Sequence, residues 1–214
     1  MTTKAGANDE ARAEILRRVR ESIGTPGDSP LIERRYSRSL PEGADAVALF
    51  AERVADYRAT VSVIRPAALP QAIADSLDAR QVRRIVVPSG LPSAWMAVAA
   101  VELVADEPPL TKEQLDQVDG VITACAVAIA ETGTVVLDAG SGQGRRALSL
   151  LPDYHLCVVT WSQIYGTVPE AMERLDPRRP QTWISGPSAT SDIELQRVEG
   201  VHGPRNLEVL IVED

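Results

Sequence analysis

Glu131, Asp192 and His202 are titratable residues that each lie in or beside a glycine-containing turn. Glu131 ends an apolar run and precedes Thr132, Gly133 and Thr134 in AIAETGTVVLD, residues 128–138. A carboxylate there can take a proton, bind a hydroxyl or attack a carbonyl. The plainer alternative is that it caps the turn by accepting backbone amides. The second turn, AGSGQGRR at 139–146, carries Gly140, Gly142 and Gly144 followed by Arg145 and Arg146. Consecutive amides in such a run form a nest that suits an anion or carboxylate, and a following helix start adds positive potential. It is not a Walker A loop, because no Lys-Ser/Thr closes it, and its spacing is not that of a dinucleotide fingerprint. A simple connection is the competing account. In the third turn, ISGPSATSDIE at 184–194, Gly186 and Pro187 make a sharp bend before Ser188 and Asp192. Asp192 either orients a ligand or caps the next segment. His202 and Gly203 follow in GVHGPR. A loop histidine can bind or relay a proton near neutral pH, or merely pack on the last strand. Three such turns, each beside a predicted strand, are expected to gather at one sheet edge around a small molecule.

The elements that position these turns follow from periodicity. Ile15, Val19 and Ile23 predict a helix capped by Asn8 or Asp9 and ended by Gly24. Residues 24–43 hold Pro26, Pro30 and Pro41 and read as a linker. The expected division is therefore an arm over 1–43 and an α/β domain over 44–214. Helices are predicted over 44–58, 70–79 and 92–99, with strands at 60–64, 83–87 and 101–104. RIVVP is a continuous apolar strand of the kind buried on both faces. Residues 121–123, 125–130 and 134–137 read as strands, the last two forming a hairpin. Helix 146–151, strand 156–159, helix 162–175, strand 182–185 and strand 207–213 restore the alternation. This order predicts one open, mainly parallel sheet with an antiparallel hairpin.

Composition narrows the function classes. The chain has 214 residues, 44% hydrophobic but only 4% aromatic, so Ala, Val, Leu and Ile must build the core. The formal charge of -8 argues against a nucleic-acid backbone as partner. Arg17, Arg18 and Arg20 read as a solvated helix face. No segment approaches the ~20 apolar residues of a membrane helix. The polar start has no signal-like apolar core, and a cytoplasmic protein is expected. Cys125 and Cys157 lie in apolar runs and read as buried reduced thiols. His155 and Cys157 share a strand face, yet no ligand spacing joins them to Cys125, so no metal is expected. An iron–sulfur cluster usually takes four thiolates, more than this chain carries. The single apolar stripe of the first helix needs a partner and makes self-association an open expectation.

The phrases AIAETGT, GQGRRALSLLP, HLCVVTWSQI, ISGPSATSDIE and GVHGPRNLEVLIVED resemble the LUD domain family, within it the lactate utilization protein C (LutC/YkgG-like) group. They run in the family's order from about Thr123 to the last residue. One departure is Ala124-Cys125-Ala126-Val127, where the family leads one to expect an acidic, Gly-Ala-Asp-like approach. The resemblance implies an open α/β sheet similar to the NagB/RpiA/CoA-transferase-like group. It also implies a component that helps oxidise L-lactate to pyruvate with iron–sulfur partner proteins, while this chain holds no cofactor and binds a small carboxylate or other anion. Two further readings stay open. One is a stand-alone enzyme acting on a CoA ester or sugar phosphate, with Glu131 as base or nucleophile. The other is a non-catalytic sensing or scaffold subunit.

Overall fold

Continuous apolar runs become parallel strands here because both faces of the main sheet are covered. The computed structural model describes residues 4–23, 37–190, 198–199 and 203–214. Two units separate, Met1–Tyr36 and Ser37–Asp214. In the first, α1 spans Lys4–Ile23. Asn8 and Asp9 lie inside this helix rather than capping it; Ala5 and Ala7 extend it amino-terminally. Its polar face is laced by Glu14, which meets Arg17 at 2.7 Å and Arg18 at 2.8 Å. Ile15, Val19 and Ile23 are exposed within this unit.

The second unit begins its regular structure with α2, Ala46–Asp56, whose first-turn amides are capped by the Asp45 carboxylate. Strand β1 (Thr60–Ile64), helix α3 (Leu69–Ala79) and strand β2 (Arg84–Val87) follow. Then come β3 (Glu102–Ala105), the short α4 (Lys112–Leu115) and β4 (Gly120–Thr123). Sequence periodicity misses α4, which is set by a capping box between Thr111 and Gln114. Next are β5 (Val127–Ile129), β6 (Thr134–Leu137), β7 (Tyr154–Thr160), β8 (Ile164–Tyr165) and α5 (Val168–Met172). The chain closes with β9 (Thr182–Ile184), β10 (Ala189–Thr190), β11 (Val198–Glu199) and β12 (Asn206–Val212).

The main sheet has the order β1-β12-β7-β4-β2-β3 and is parallel throughout. The expected hairpin, β5 with β6, is the centre of a second sheet of order β8-β5-β6-β9. Strands β10 and β11 form a separate antiparallel pair. Period-two alternation splits the core. Leu156 and Val158 of β7 pack with Ile73 and Leu77 of α3. Cys157 and Val159 pack on the opposite face with Phe50 and Val54 of α2 and Ala128 and Val135 of the hairpin. Beyond the second sheet, Val127, Ile129 and Val136 pack with Ala171 of α5. Burying one such large side chain stabilises by roughly 1.5–3 kcal/mol.

The helix expected over 162–175 does not form as one piece. A 3-10 turn at Trp161–Gln163 leads into β8, and only Val168–Met172 is α-helical. Gly166 lies between β8 and the new helix, with Leu40 Cγ 2.6 Å from where an ideal Cβ would stand, so only glycine fits there. Thr167 then caps a new helix with Pro169 in its first turn. The helices expected at 92–99 and 146–151 are likewise 3-10 turns, Ser93–Met96 and Arg146–Ser149.

Helix α2 reaches two of the glycine turns. Gly133 has φ +58, and a Cβ on it would stand 2.7 Å from the Arg53 carbonyl carbon. Gly186 has φ +82, and a Cβ there would overlap Cβ of Tyr57. Gly186→Ala is therefore expected to destabilise the domain by about 2 kcal/mol, read as a lower urea midpoint. An unchanged midpoint would show that the end of α2 gives way freely.

Candidate functional site

The loop between β6 and β7 is built from its own polar groups. Gln143 is buried and its Oε1 accepts the Asp138 amide at 2.6 Å. Asp138 in turn accepts the Gly140 amide at 3.0 Å and pairs with Arg179 at 2.9 Å. The Gly142 amide donates to the Ser89 carbonyl, and the Gly142 carbonyl accepts the Ala124 amide, each at 2.9 Å. These bonds tie the loop to the carboxyl ends of β2 and β4, the edge where open α/β sheets place ligands. The amides of Gly140, Gly142 and Gln143 thus hold the loop's own architecture. Gly140, Gly144 and Arg145 also border a hollow of about 410 Å3 with Ser89, Asp106 and Glu107.

The two arginines that follow differ sharply. Arg145 makes a bidentate pair with Asp106, at 2.8 and 3.0 Å, and donates to the Leu110 carbonyl at 2.6 Å. Burial alone would raise the Asp106 carboxyl, but Arg145 and the Leu110 amide outweigh it and hold the group below its usual range. Arg145 is raised in return. Arg146 is exposed and has no side-chain hydrogen bond or ion pair among the described residues. It borders a small cavity of about 110 Å3 with Leu137, Ala139, Pro180 and Thr182. It also borders a cleft of about 390 Å3 that includes Ser149, Ser185, Gly186, Ser188 and Gly203. No aspartate or glutamate among the described residues lines either space.

The hairpin tip lies to one side. Glu131 is exposed, and its amide donates to the Gly166 carbonyl at 3.0 Å. Its neighbours form a row of hydroxyls: Thr132 Oγ1 lies 2.6 Å from Thr134 Oγ1, which lies 2.8 Å from Ser185 Oγ. Ser185 brings this row to the cleft. The Ser188 amide donates to the Pro204 carbonyl at 2.8 Å, joining the third turn to the segment after Gly203. Asp192 and His202 lie outside the described residues. The structure thus brings together Gly186, Ser188 and Gly203 at one cleft, and sets Gly140, Gly144 and Arg145 at the adjoining hollow. Glu131 lines none of the cavities described here.

Among the described residues no cluster of three or more His, Cys, Asp or Glu is arranged to hold a metal. Cys125 and Cys157 are free and buried. The neighbouring Cys157, and then burial, push the Cys125 thiol well up. No described helix is long and apolar enough to cross a membrane. A cleft of about 490 Å3 at the amino edge of the main sheet is lined by Arg80, Asp119, Asp153, Tyr154 and Asn206. Its charged groups are engaged within the fold: Arg80 with Glu208, Asp119 with the amides of Arg83 and Arg84, and Asp153 with Arg205.

The sequence profile of the LUD domain matches residues 7–212. The chain belongs to the LUD domain family. Lactate utilization protein C of Deinococcus radiodurans is 47% identical to it over 208 residues, covering 95% of this chain and 96% of the relative. Lactate utilization protein C of Halalkalibacterium halodurans is 38% identical over 110 residues, 48% of this chain and 47% of that one. The Escherichia coli protein YkgG is 39% identical over 109 residues, 47% of each. The crystal structure of a DUF162 family protein from Deinococcus radiodurans superposes with a TM-score of 0.68 at 45% identity, covering 78% of this chain and 96% of that one.

Within this LUD domain, the sequence offers Arg145 and Arg146 together beside the glycine run and does not tell them apart. The adjacent pair was visible, but the partner that removes Arg145 from contention, Asp106, is 39 residues away on another strand end. The hydroxyl row was half visible. Thr132 and Thr134 flank a glycine, whereas Ser185 joins them only because β6 pairs antiparallel with β9.

Proposed function

We propose that this LUD protein is a component of an L-lactate utilization system, assisting oxidation of L-lactate to pyruvate with iron–sulfur partner proteins. Its part is to bind a small carboxylate in the cleft beside Arg146. The observation that carries this reading is a guanidinium, unpaired among the described residues, in a cleft whose described lining holds no acid, in a chain with 30 acidic and 22 basic residues. On such a surface a cationic recess is where an organic anion is drawn. A guanidinium presents a planar fork that matches a carboxylate, and nearby hydroxyls supply further polar contacts. The names of the Deinococcus and Halalkalibacterium relatives support the metabolic setting. Two cysteines fall short of the thiolates a cluster usually takes, so electron transfer falls to the partners.

The test is L-lactate-dependent dye reduction in extracts of a strain lacking the chain. Added wild-type protein is expected to restore it, and Arg146→Ala is not. Purified Arg146→Ala is expected to bind pyruvate about 10- to 100-fold more weakly, the loss typical of a charge-assisted hydrogen bond. Dye reduction that proceeds equally without the chain sinks the proposal.

A further inference from the structure

We infer that Ser185 contacts the oxygen on C2 of the bound acid, with Thr134 as its positioning residue, so that one site accepts both a 2-hydroxy and a 2-oxo acid. The inference rests on the carboxylate reading of the cleft and adds the group that reads the rest of the ligand. Among the polar side chains around the cleft, several are engaged elsewhere. Ser149 donates to the Arg146 carbonyl at 3.2 Å. Gln181 accepts from the Trp183 indole at 3.1 Å and donates to the Asp176 carbonyl at 3.2 Å. Ser185 is exposed, lines the cleft with Arg146, and its hydroxyl meets Thr134 Oγ1 at 2.8 Å.

That contact is fixed by the fold. Val135 pairs with Ile184 across β6 and β9, so Thr134 and Ser185 face each other one step further on. Gly133 and Gly186 flank the pair, and α2 closes on both of them. Thr134 is only 3% exposed, so its hydroxyl is held within the row. A hydroxyl has one hydrogen and two lone pairs. When Thr134 donates to Ser185, the Ser185 hydrogen is free for the carbonyl oxygen of a 2-oxo acid. When Thr134 donates to Thr132, Ser185 donates to Thr134 and offers a lone pair to the hydroxyl of a 2-hydroxy acid. Thr132 lies 2.6 Å beyond, half-buried at the other end, so the row can run in either direction.

The experiment measures binding of L-lactate, pyruvate and propionate to the purified full chain by calorimetry. Propionate keeps the carboxylate and lacks the C2 oxygen. Ser185→Ala and Thr134→Val are each expected to weaken lactate and pyruvate roughly tenfold and to leave propionate unchanged. The double variant is expected to lose no more than Ser185→Ala alone, and Thr134→Ser to bind like wild type. Equal loss of propionate, or wild-type affinity in Ser185→Ala, overturns the assignment while the carboxylate cleft stands. Additive losses in the double variant overturn the positioning role of Thr134. If wild type binds none of the three acids, the carboxylate reading falls and this inference with it. Ser185 is exposed, so its substitution by alanine leaves the fold intact and keeps the test decisive should Thr134→Val fold poorly.

Discussion

Glu208→Ala is expected to remove about 3–5 kcal/mol of stability, the usual result of deleting one partner from a buried charged pair. Glu208 sits in the apolar strand β12 and is 7% exposed. Its carboxylate accepts from Ser76 at 2.7 Å, Tyr154 at 2.9 Å and Arg80 Nε at 3.1 Å. Arg80 also stacks over the Tyr154 ring, 4.7 Å from its centroid. Burial, reinforced by the Glu208 charge, raises the Tyr154 phenol, so Tyr154 stays a neutral donor. Removing the carboxylate strips three donors of their acceptor at once and leaves a guanidinium beside an apolar strand. Glu208→Gln keeps the shape and one acceptor, and a smaller loss of roughly 1–2 kcal/mol is expected. Urea denaturation of both variants makes the check. A Glu208→Ala protein within 1 kcal/mol of wild type would mean that water replaces the carboxylate without penalty. Since this network lies at the amino edge, away from the cleft of Arg146, ligand affinity of the folded fraction is expected to stay unchanged.

Much of the scaffold was legible because its rules are local. RIVV reads as a strand covered on both faces and TVSVI as a short strand; both join the parallel sheet, RIVV inside it with Ile85 and Val86 buried and TVSVI at its edge, largely exposed. The Glu-Thr-Gly tip between two β-branched runs announced the β5–β6 hairpin. Helix α2 was readable from Phe50 and Val54 one turn apart, and both are buried. What failed was set by distant contacts. The stretch expected as one helix over 162–175 is divided into a 3-10 turn, the strand β8 and a short helix, and β8 pairs with β5, more than thirty residues earlier. Glu208 lies in the closing strand expected at 207–213, and its ion-pair partner Arg80 lies 128 residues earlier. The same limit governs the site. The sequence leads one to expect glycine turns gathered at one sheet edge; the structure sets Gly186, Ser188 and Gly203 at one cleft and Gly140, Gly144 and Arg145 at the adjoining hollow. Which arginine stays unpaired, and which hydroxyls align, depends on strand ends that only the folded sheet brings together.

Lowering the pH from 6.5 to 4 is expected to remove about 3 kcal/mol through His155 alone. His155 is 1% exposed on β7, and burial lowers its pKa to about 4 from an ordinary 6.5. Its Nε2 meets Thr123 Oγ1 at 2.8 Å, and Nδ1 has no hydrogen-bond partner among the described residues. The neutral ring is therefore the folded form. As pH falls through 6.5 the unfolded chain takes up a proton that the folded chain refuses, so the unfolded state is favoured progressively. Below about 4 both states are protonated and this contribution stops changing. Carboxylates add their own slope, so the measurement is a difference. Denaturation free energies of wild type and His155→Gln are compared at several pH values across the window. Glutamine can still bond Thr123 but does not titrate there. The wild-type curve is expected to fall more steeply, by up to about 1.4 kcal/mol per pH unit, and the two curves to run parallel above pH 7. Parallel curves throughout would mean that the ring takes its proton in the folded state at the ordinary pH. That would require an acceptor or water at Nδ1 strong enough to offset the burial.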